Sequence, residues 1–300
     1  MAIFVTGASG HIGLAVAHEL AWHGHEVRGL VRSEAAARAV AAHEIEPVPG
    51  TLADLELLAR AAGTHEVIVH CAVDHGAERW ALEGAALAAM IEDAQAARRP
   101  RLLIYTSGVW VYGTTGDRAA TEDDAGEPPP LVARRLEVER QVLDAAGGNL
   151  TTAVVRPGCV YGGGGSLTAA WFAAAAAGGP VPVIDGGANR WAMIHRADLA
   201  VVYRRLIETH AGGVWNAVDD SRDTVAACAE AASRAVGGDG AVVARPLAEA
   251  RAADGAVADA LAFDQHVSAA KARRALSWRP AHAGFVAEAR RLAAAWRAAA

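Results

Sequence analysis

Three glycines near the start of this 300-residue chain have the spacing to hold a diphosphate. Gly7, Gly10 and Gly13 stand in the order G-x-x-G-x-x-G, directly after Ile3-Phe4-Val5 and before the apolar-periodic stretch Leu14–His23. In such a strand–turn–helix, the first glycine permits the tight turn. The second lets the backbone close on a pyrophosphate, and the third lets helix and strand pack together. The N–H groups and positive dipole end of the following helix favour the bound anion. A second chemical signal is Arg32-Ser33, at the end of the predicted strand His25–Ser33. A carboxylate there would accept bonds from ribose hydroxyls, whereas a guanidinium forks onto a 2′-phosphate, so the expected cofactor is NADP(H).

The elements that must position these groups alternate along the first half of the chain. Apolar β-formers at Val67–Ala72, Arg101–Ser107 and Thr151–Pro157 read as buried strands, and Glu46–Asp54 as a short strand and turn. Between them, Leu55–Ala62, Trp80–Ala97 and Leu131–Ala145 read as helices. This alternation predicts an α/β fold, a doubly wound parallel sheet. Gly108–Gly113 and Gly158–Gly165 are exits from strands, the second expected to be very flexible, and Thr114–Pro130 a surface loop or lid. Beyond residue 160, denser Gly, Trp and Pro punctuation suggests a smaller lobe. Trp171–Ala177, Thr224–Val236 and Ala283–Ala299 read there as helices.

Composition narrows the function classes. With 53% hydrophobic and 21% charged residues and a net charge of -6, the chain gives no electrostatic reason to bind nucleic acid or an anionic membrane. No stretch has the length and apolarity of a membrane span, and the amino terminus enters a strand rather than a signal peptide. Three cysteines without metal-ligand spacing fit a reducing cytoplasm and predict no metal site.

Five segments in order resemble one family: Thr6–Gly13, His70-Cys71-Ala72, Tyr105–Gly113, Arg156–Gly162 and His195–Ala200. Together they are similar to the extended short-chain dehydrogenase/reductases, the nucleotide-sugar epimerase/dehydratase superfamily. Leu276-Ser-Trp-Arg-Pro280 resembles that family's C-terminal L-G-W-x-P. The resemblance implies a Rossmann dinucleotide domain over residues 1–160 with a return segment near 195–218. It also implies a substrate-binding lobe from 161–194 and 219–300, a cleft between the two, and commonly a homodimer. Cofactor contacts carried over to this chain include Ser9, His11 and Ile12 in the turn, and Thr51 and Leu52 after the third strand. Cys71, Ala72 and Val73 after the fourth join them, with Thr106, Pro157 and Val160 after the fifth and sixth.

The resemblance breaks at the chemistry. The family uses Tyr-x-x-x-Lys, in which lysine lowers the phenol pKa so that tyrosine can trade a proton during hydride transfer. Here Leu131 and Arg135 occupy those places, only the later Glu139 is retained, and the sole lysine is Lys271. Arg135, one helical turn beyond Leu131, is expected to hold nicotinamide-ribose hydroxyls. The substitute proton donor is sought first at Tyr112 and Tyr161, then at Ser107, one residue before the family's Ser/Thr position at Gly108. His195 reads as a structural residue at a helix start, His75 as a loop bystander, and Trp110, Trp171 and Trp191 as lobe packing or the walls of an apolar pocket.

Three functions follow. The first is an NADP(H)-dependent oxidoreductase acting on a small-molecule carbonyl or imine with a non-standard acid. The second is a redox-silent isomerase, lyase or cyclase, and the third a non-enzymatic NADP(H) sensor.

Overall fold

The computed structural model describes residues 1–299. Ile3, Phe4 and Val5 are sealed in β1 (Ala2–Thr6), with Ile3 and Val5 facing one side of a sheet and Phe4 the other. α1 (His11–Trp22) turns back over the first face, burying Gly13, Val16, Ala17 and Leu20. β2 (Glu26–Val31), α2 (Glu34–Ala41) and β3 (Glu46–Pro49) continue outward. α3 (Leu55–Thr64) then carries the chain back to β4 (Val67–His70) on the other side of β1. α4 (Arg79–Ala96), β5 (Arg101–Thr106), α5 (Arg135–Asp144) and β6 (Leu150–Pro157) extend that half.

After β6 the chain makes β7 (Cys159–Tyr161), α6 (Ala169–Ala176), β8 (Val181–Ile184) and β9 (Met193–His195). α7 (Arg196–Thr209) and β10 (Gly213–Ala217) return to the main sheet. Its seven strands run in the order β10-β6-β5-β4-β1-β2-β3, every pair parallel. This is the doubly wound parallel sheet that the alternation predicted. Helices α1 and α7 cover one face; α3, α4 and α5 cover the other.

The remaining elements are α8 (Val225–Val236), β11 (Val242–Arg245), α9 (Leu247–Asp254), α10 (Ala256–Leu261), α11 (Ala270–Ala275) and α12 (Phe285–Ala299). A third apolar cluster joins β7, α6, β8, α8 and α12. Trp171 and Trp191 stack there with centroids 5.1 Å apart, and Phe285 meets Trp171 edge-on. At 6% and 8% exposure they are packing, not pocket walls. No described helix is long and apolar enough to cross a membrane.

Three local expectations are corrected. The helix expected from Leu131 begins at Arg135, because the chain leaves Pro128-Pro129-Pro130 through a turn in which Val132 N–H reaches Pro129 O and Arg135 N–H reaches Val132 O. Leu131 and Arg135 therefore do not share a continuous helical face. The first part of the exit after β6 is a strand rather than loop, since Cys159–Tyr161 forms β7 parallel to β9, whereas Gly162–Gly165 is unpaired. The loop over Thr114–Pro130 is fastened rather than free. Thr115 and Gly116 donate to Asp264 O, Ala120 to His266 O, and Ser268 back to Ala120 O.

Candidate active site

In a parallel sheet all strand exits lie along one edge, and between β1 and β4 the chain changes direction, which opens a crevice there. The Gly7–Gly13 turn lies at that point. Gly7 has φ +68°, and a Cβ on it would lie 2.7 Å from Ala72 N; one on Gly13 would lie 2.1 Å from Gly7 O. Gly10 N–H closes the turn onto Gly7 O at 2.9 Å. Gly10 is the N-cap of α1 and has no side chain to satisfy the first helical N–H groups, which stay available to an anion.

The other expected cofactor residues sit on the same edge. Arg32 is exposed past β2, without an ion-pair partner among the described residues, while Ser33 caps α2 by accepting from Ala36 N–H at 3.2 Å. Past β3, Thr51 folds onto Asp54 and Leu52 is buried. Past β4 come Cys71, half-buried Ala72 and exposed Val73. Thr106 ends β5 and Pro157 ends β6, with half-buried Val160 in β7 and half-buried His11 and Ile12 opening α1 beside exposed Ser9. The fold thus brings these residues to the carboxyl ends of the sheet's strands, except Val160, which lies in the separate β7–β9 pair, and their chemistry fits a dinucleotide.

Arg135 is held from below. Its Nη1 donates to Tyr105 Oη at 2.9 Å and to Thr106 O at 3.3 Å, and lies 3.7 Å from Glu83 Oε1. Tyr105 Oη donates in turn to Glu83 Oε1 at 3.0 Å. Trp80 lies over the guanidinium, 5.6 Å from Cζ to centroid. The other Arg135 nitrogens have no hydrogen-bond partner among the described residues. Burial raises the Glu83 pKa against the pull of Arg135. Beside them, burial and then the Arg135 charge push His70 down to about 3, so its imidazole is neutral. Neither Glu83 nor His70 was singled out for the site from sequence. The available signal was a glutamate on the same helical stripe as Leu87, Met90 and Ala94, all buried.

Ser107, buried one residue past β5, donates its hydroxyl to Glu139. Glu139 is clamped by Arg156 through Nε (3.1 and 3.2 Å) and Nη2 (2.5 Å). Arg156 Nη1 donates to Tyr112 Oη at 2.7 Å, and Tyr112 Oη to Asn216 Oδ1 at 2.8 Å. Tyr161, wholly buried, donates to Asp219 Oδ2 at 3.0 Å. Burial, then the Asp219 charge, drive its phenol far above the ordinary range. The two residues sought as substitute acids therefore have their protons committed. Of the other two of the chain's four tyrosines, Tyr105 donates to Glu83, and Tyr203 shares a hydrogen bond with Thr106 Oγ1 at 2.7 Å. Lys271, the sole lysine, donates to Val214 O at 2.7 Å and rests over Trp215. His195 is the N-cap of α7, its Nδ1 accepting from Ala197 N–H at 3.2 Å.

The glycine turn at a switch point is matched by the sequence comparison. The profile of the NAD-dependent epimerase/dehydratase family covers residues 3–217. The chain belongs to this family. A Saccharomyces cerevisiae protein, itself uncharacterized, is 28% identical over 301 residues, covering 95% of this chain and 97% of its own. A Stigmatella aurantiaca protein named as a 4-hydroxy-2-methyl-3-oxo-4-farnesyl-3,4-dihydroquinoline-1-oxide ketoreductase is 32% identical over 174 residues, 54% of this chain and 51% of that one. Among solved structures, a human epimerase family protein with NADPH superposes with TM-score 0.81 at 23% identity, covering 98% of this chain and 99% of that one. A Thermotoga maritima UDP-glucose 4-epimerase with UDP-glucose gives 0.82 at 18%, covering 99% of each. These structural likenesses establish the family's α/β fold.

Proposed function

We propose that the protein is an NADP(H)-dependent oxidoreductase that reduces a carbonyl or imine of a small molecule. The observation that carries this reading is an anion-ready glycine turn with an exposed, unpaired Arg32 on the same edge. The human relative with NADPH and the Stigmatella ketoreductase support it. Gly7, Gly10 and Gly13 would hold the diphosphate, Arg32 the 2′-phosphate, and Arg135 the nicotinamide-ribose hydroxyls. Bound there, the nicotinamide supplies the hydride.

Arg135 also takes over the electrostatic part of the missing pair. Pinned by Tyr105 and Glu83, it offers fixed N–H groups to negative charge developing on a substrate oxygen, without reorganisation during the reaction. An arginine keeps its proton at every working pH, so the proton reaches the substrate from water. Tyr112→Phe and Tyr161→Phe are accordingly expected to lower stability by about 1 kcal/mol each. Their kcat should stay within about threefold of wild type, against ~10²-fold or more for a lost general acid. A loss of that size in either variant would return the acid role to that tyrosine.

NADPH consumption, followed by its near-ultraviolet absorbance against a panel of ketones, aldehydes and imines, tests the activity. A redox-silent isomerase, lyase or cyclase is the second reading, favoured by the internal hydrogen bonds that hold every tyrosine hydroxyl and Lys271. Substrate conversion with the cofactor unchanged would select it.

Cofactor preference is separately measurable. NADPH should bind at least about tenfold tighter than NADH, ~1.4 kcal/mol, and Arg32→Asp should reverse the order. Equal affinities in the wild type, by tryptophan-fluorescence titration, would remove the role given to Arg32.

A further inference from the structure

The tetraglycine run Gly162–Gly165 has no part in the site as described. Four consecutive glycines lose more conformational freedom on folding than any other tetrapeptide, and the first three leave no room for a Cβ. A Cβ on Gly162 would lie 2.5 Å from His195 Nε2, one on Gly163 2.7 Å from Arg196 Nη1, and one on Gly164 2.6 Å from the Ala299 Cβ. A Cβ on Gly165 would come within 3.4 Å of His11 Nδ1. The run is a strap laid over the start of α7, then against the last residue of α12 and the first residue of α1.

Those two helices run side by side in the same direction. Arg204 Nε meets Glu19 Oε1 at 2.8 Å, and each of these residues lies eight positions beyond Arg196 and His11 respectively. Both helix starts therefore open at one level, beside the Gly7–Gly13 turn. Arg196 is half-buried and has neither a carboxylate nor a carbonyl partner among the described residues. Every other half-buried arginine has one, such as Arg135, Arg190, Arg204 and Arg273. Across from it, burial and the Arg196 charge push His11 down to about 4, leaving a neutral ring whose buried Nε2 has no partner. An unneutralised, half-desolvated guanidinium beside the free N–H groups at the start of α1 is incomplete without an anion that has several oxygens.

We propose that Arg196 binds the cofactor diphosphate, as a second cationic wall of the cradle, and that the tetraglycine strap exists to let its guanidinium stand there. The assignment rests on the dinucleotide reading above. The test is calorimetric titration of NADP+ and of adenosine 2′-monophosphate, which keeps the Arg32 contact but lacks the diphosphate. Arg196→Gln is expected to bind NADP+ at least about tenfold more weakly, with adenosine 2′-monophosphate unchanged. Arg32→Gln should weaken both. A folded Arg196→Gln protein that binds NADP+ like wild type overturns the assignment and leaves the dinucleotide reading standing, as does an equal loss on both ligands. A wild type that binds no dinucleotide overturns both. Should the glutamine variant not fold, Arg196→Lys is read in its place. A roughly threefold weakening for NADP+ alone supports the assignment, because lysine keeps the charge and loses the fork; unchanged affinity overturns it.

Discussion

Gly13→Ala is expected to weaken NADP(H) binding by about 100-fold or more while the protein stays folded. The new Cβ would lie 2.1 Å from Gly7 O, the backbone oxygen that accepts Gly10 N–H and closes the turn. No side-chain rotation relieves an overlap between two atoms fixed to the backbone. The start of α1 must therefore move by about 1 Å, and a displacement of that size at a binding constellation is worth about two orders of magnitude. The moving segment carries the N–H groups of His11 and Ile12, so the loss falls on the diphosphate. Gly7→Ala should follow closely, since its Cβ meets the β4 exit at Ala72 and its φ is +68°. Gly10→Ala should disturb the fold least, because its Cβ would stand 3.1 Å from Gly7 O, yet it should still weaken binding, because that Cβ stands where the backbone must close on the pyrophosphate. Fluorescence titration with circular dichroism as a folding control tests the order. Gly13→Ala binding like wild type would mean that the turn is not the cradle.

The glycine turn was legible because every feature that defines it is local: a strand, three glycines at fixed spacing and the helix that follows. The place of Arg32 was legible for the same reason, as the first residue past the next strand. The absence of the catalytic pair was legible too, since one lysine in the whole chain leaves no register to search. The state of the tyrosines was not. Tyr112 finds its acceptor at Asn216 and Tyr161 at Asp219, partners 104 and 58 positions away that only the fold brings near. A tyrosine on a strand exit reads from sequence as an exposed phenol, and nothing local reveals a buried acceptor. The start of α5 was misjudged through the prolines. Their effect reached four residues further than the helical pattern suggested, so Leu131 fell in a turn whose carbonyl is held by Arg79. Glu83 was passed over because a charged residue within an Ala-rich helix looks solvent-facing until its stripe is compared with Leu87 and Met90.

The largest stability effect should come from Arg156→Met. Arg156 on β6 and Glu139 on α5 are 8% and 3% exposed and share three hydrogen bonds, with Ser107 on the remaining carboxylate face. Methionine fills much of the arginine volume yet leaves Glu139 as a buried carboxylate with one hydroxyl for compensation. Removing one member of a buried pair typically costs about 3–5 kcal/mol. That is a large part of the roughly 5–15 kcal/mol that holds a domain folded. Tyr112 loses its donor in the same step, which adds to the loss. If the cost comes from the stranded charge rather than from lost packing, Arg156→Met with Glu139→Leu should recover most of it, because a well-packed apolar pair of similar volume is often no less stable than the ion pair it replaces. Urea unfolding of the two single variants and the double variant separates these contributions. A loss below about 1 kcal/mol in Arg156→Met would show that water reaches Glu139. The pair also seats the helix that begins at Arg135. Arg156→Met at a urea concentration where it is still folded should therefore bind NADPH more weakly, whereas the double variant, with α5 packed again, should bind it nearly as the wild type does.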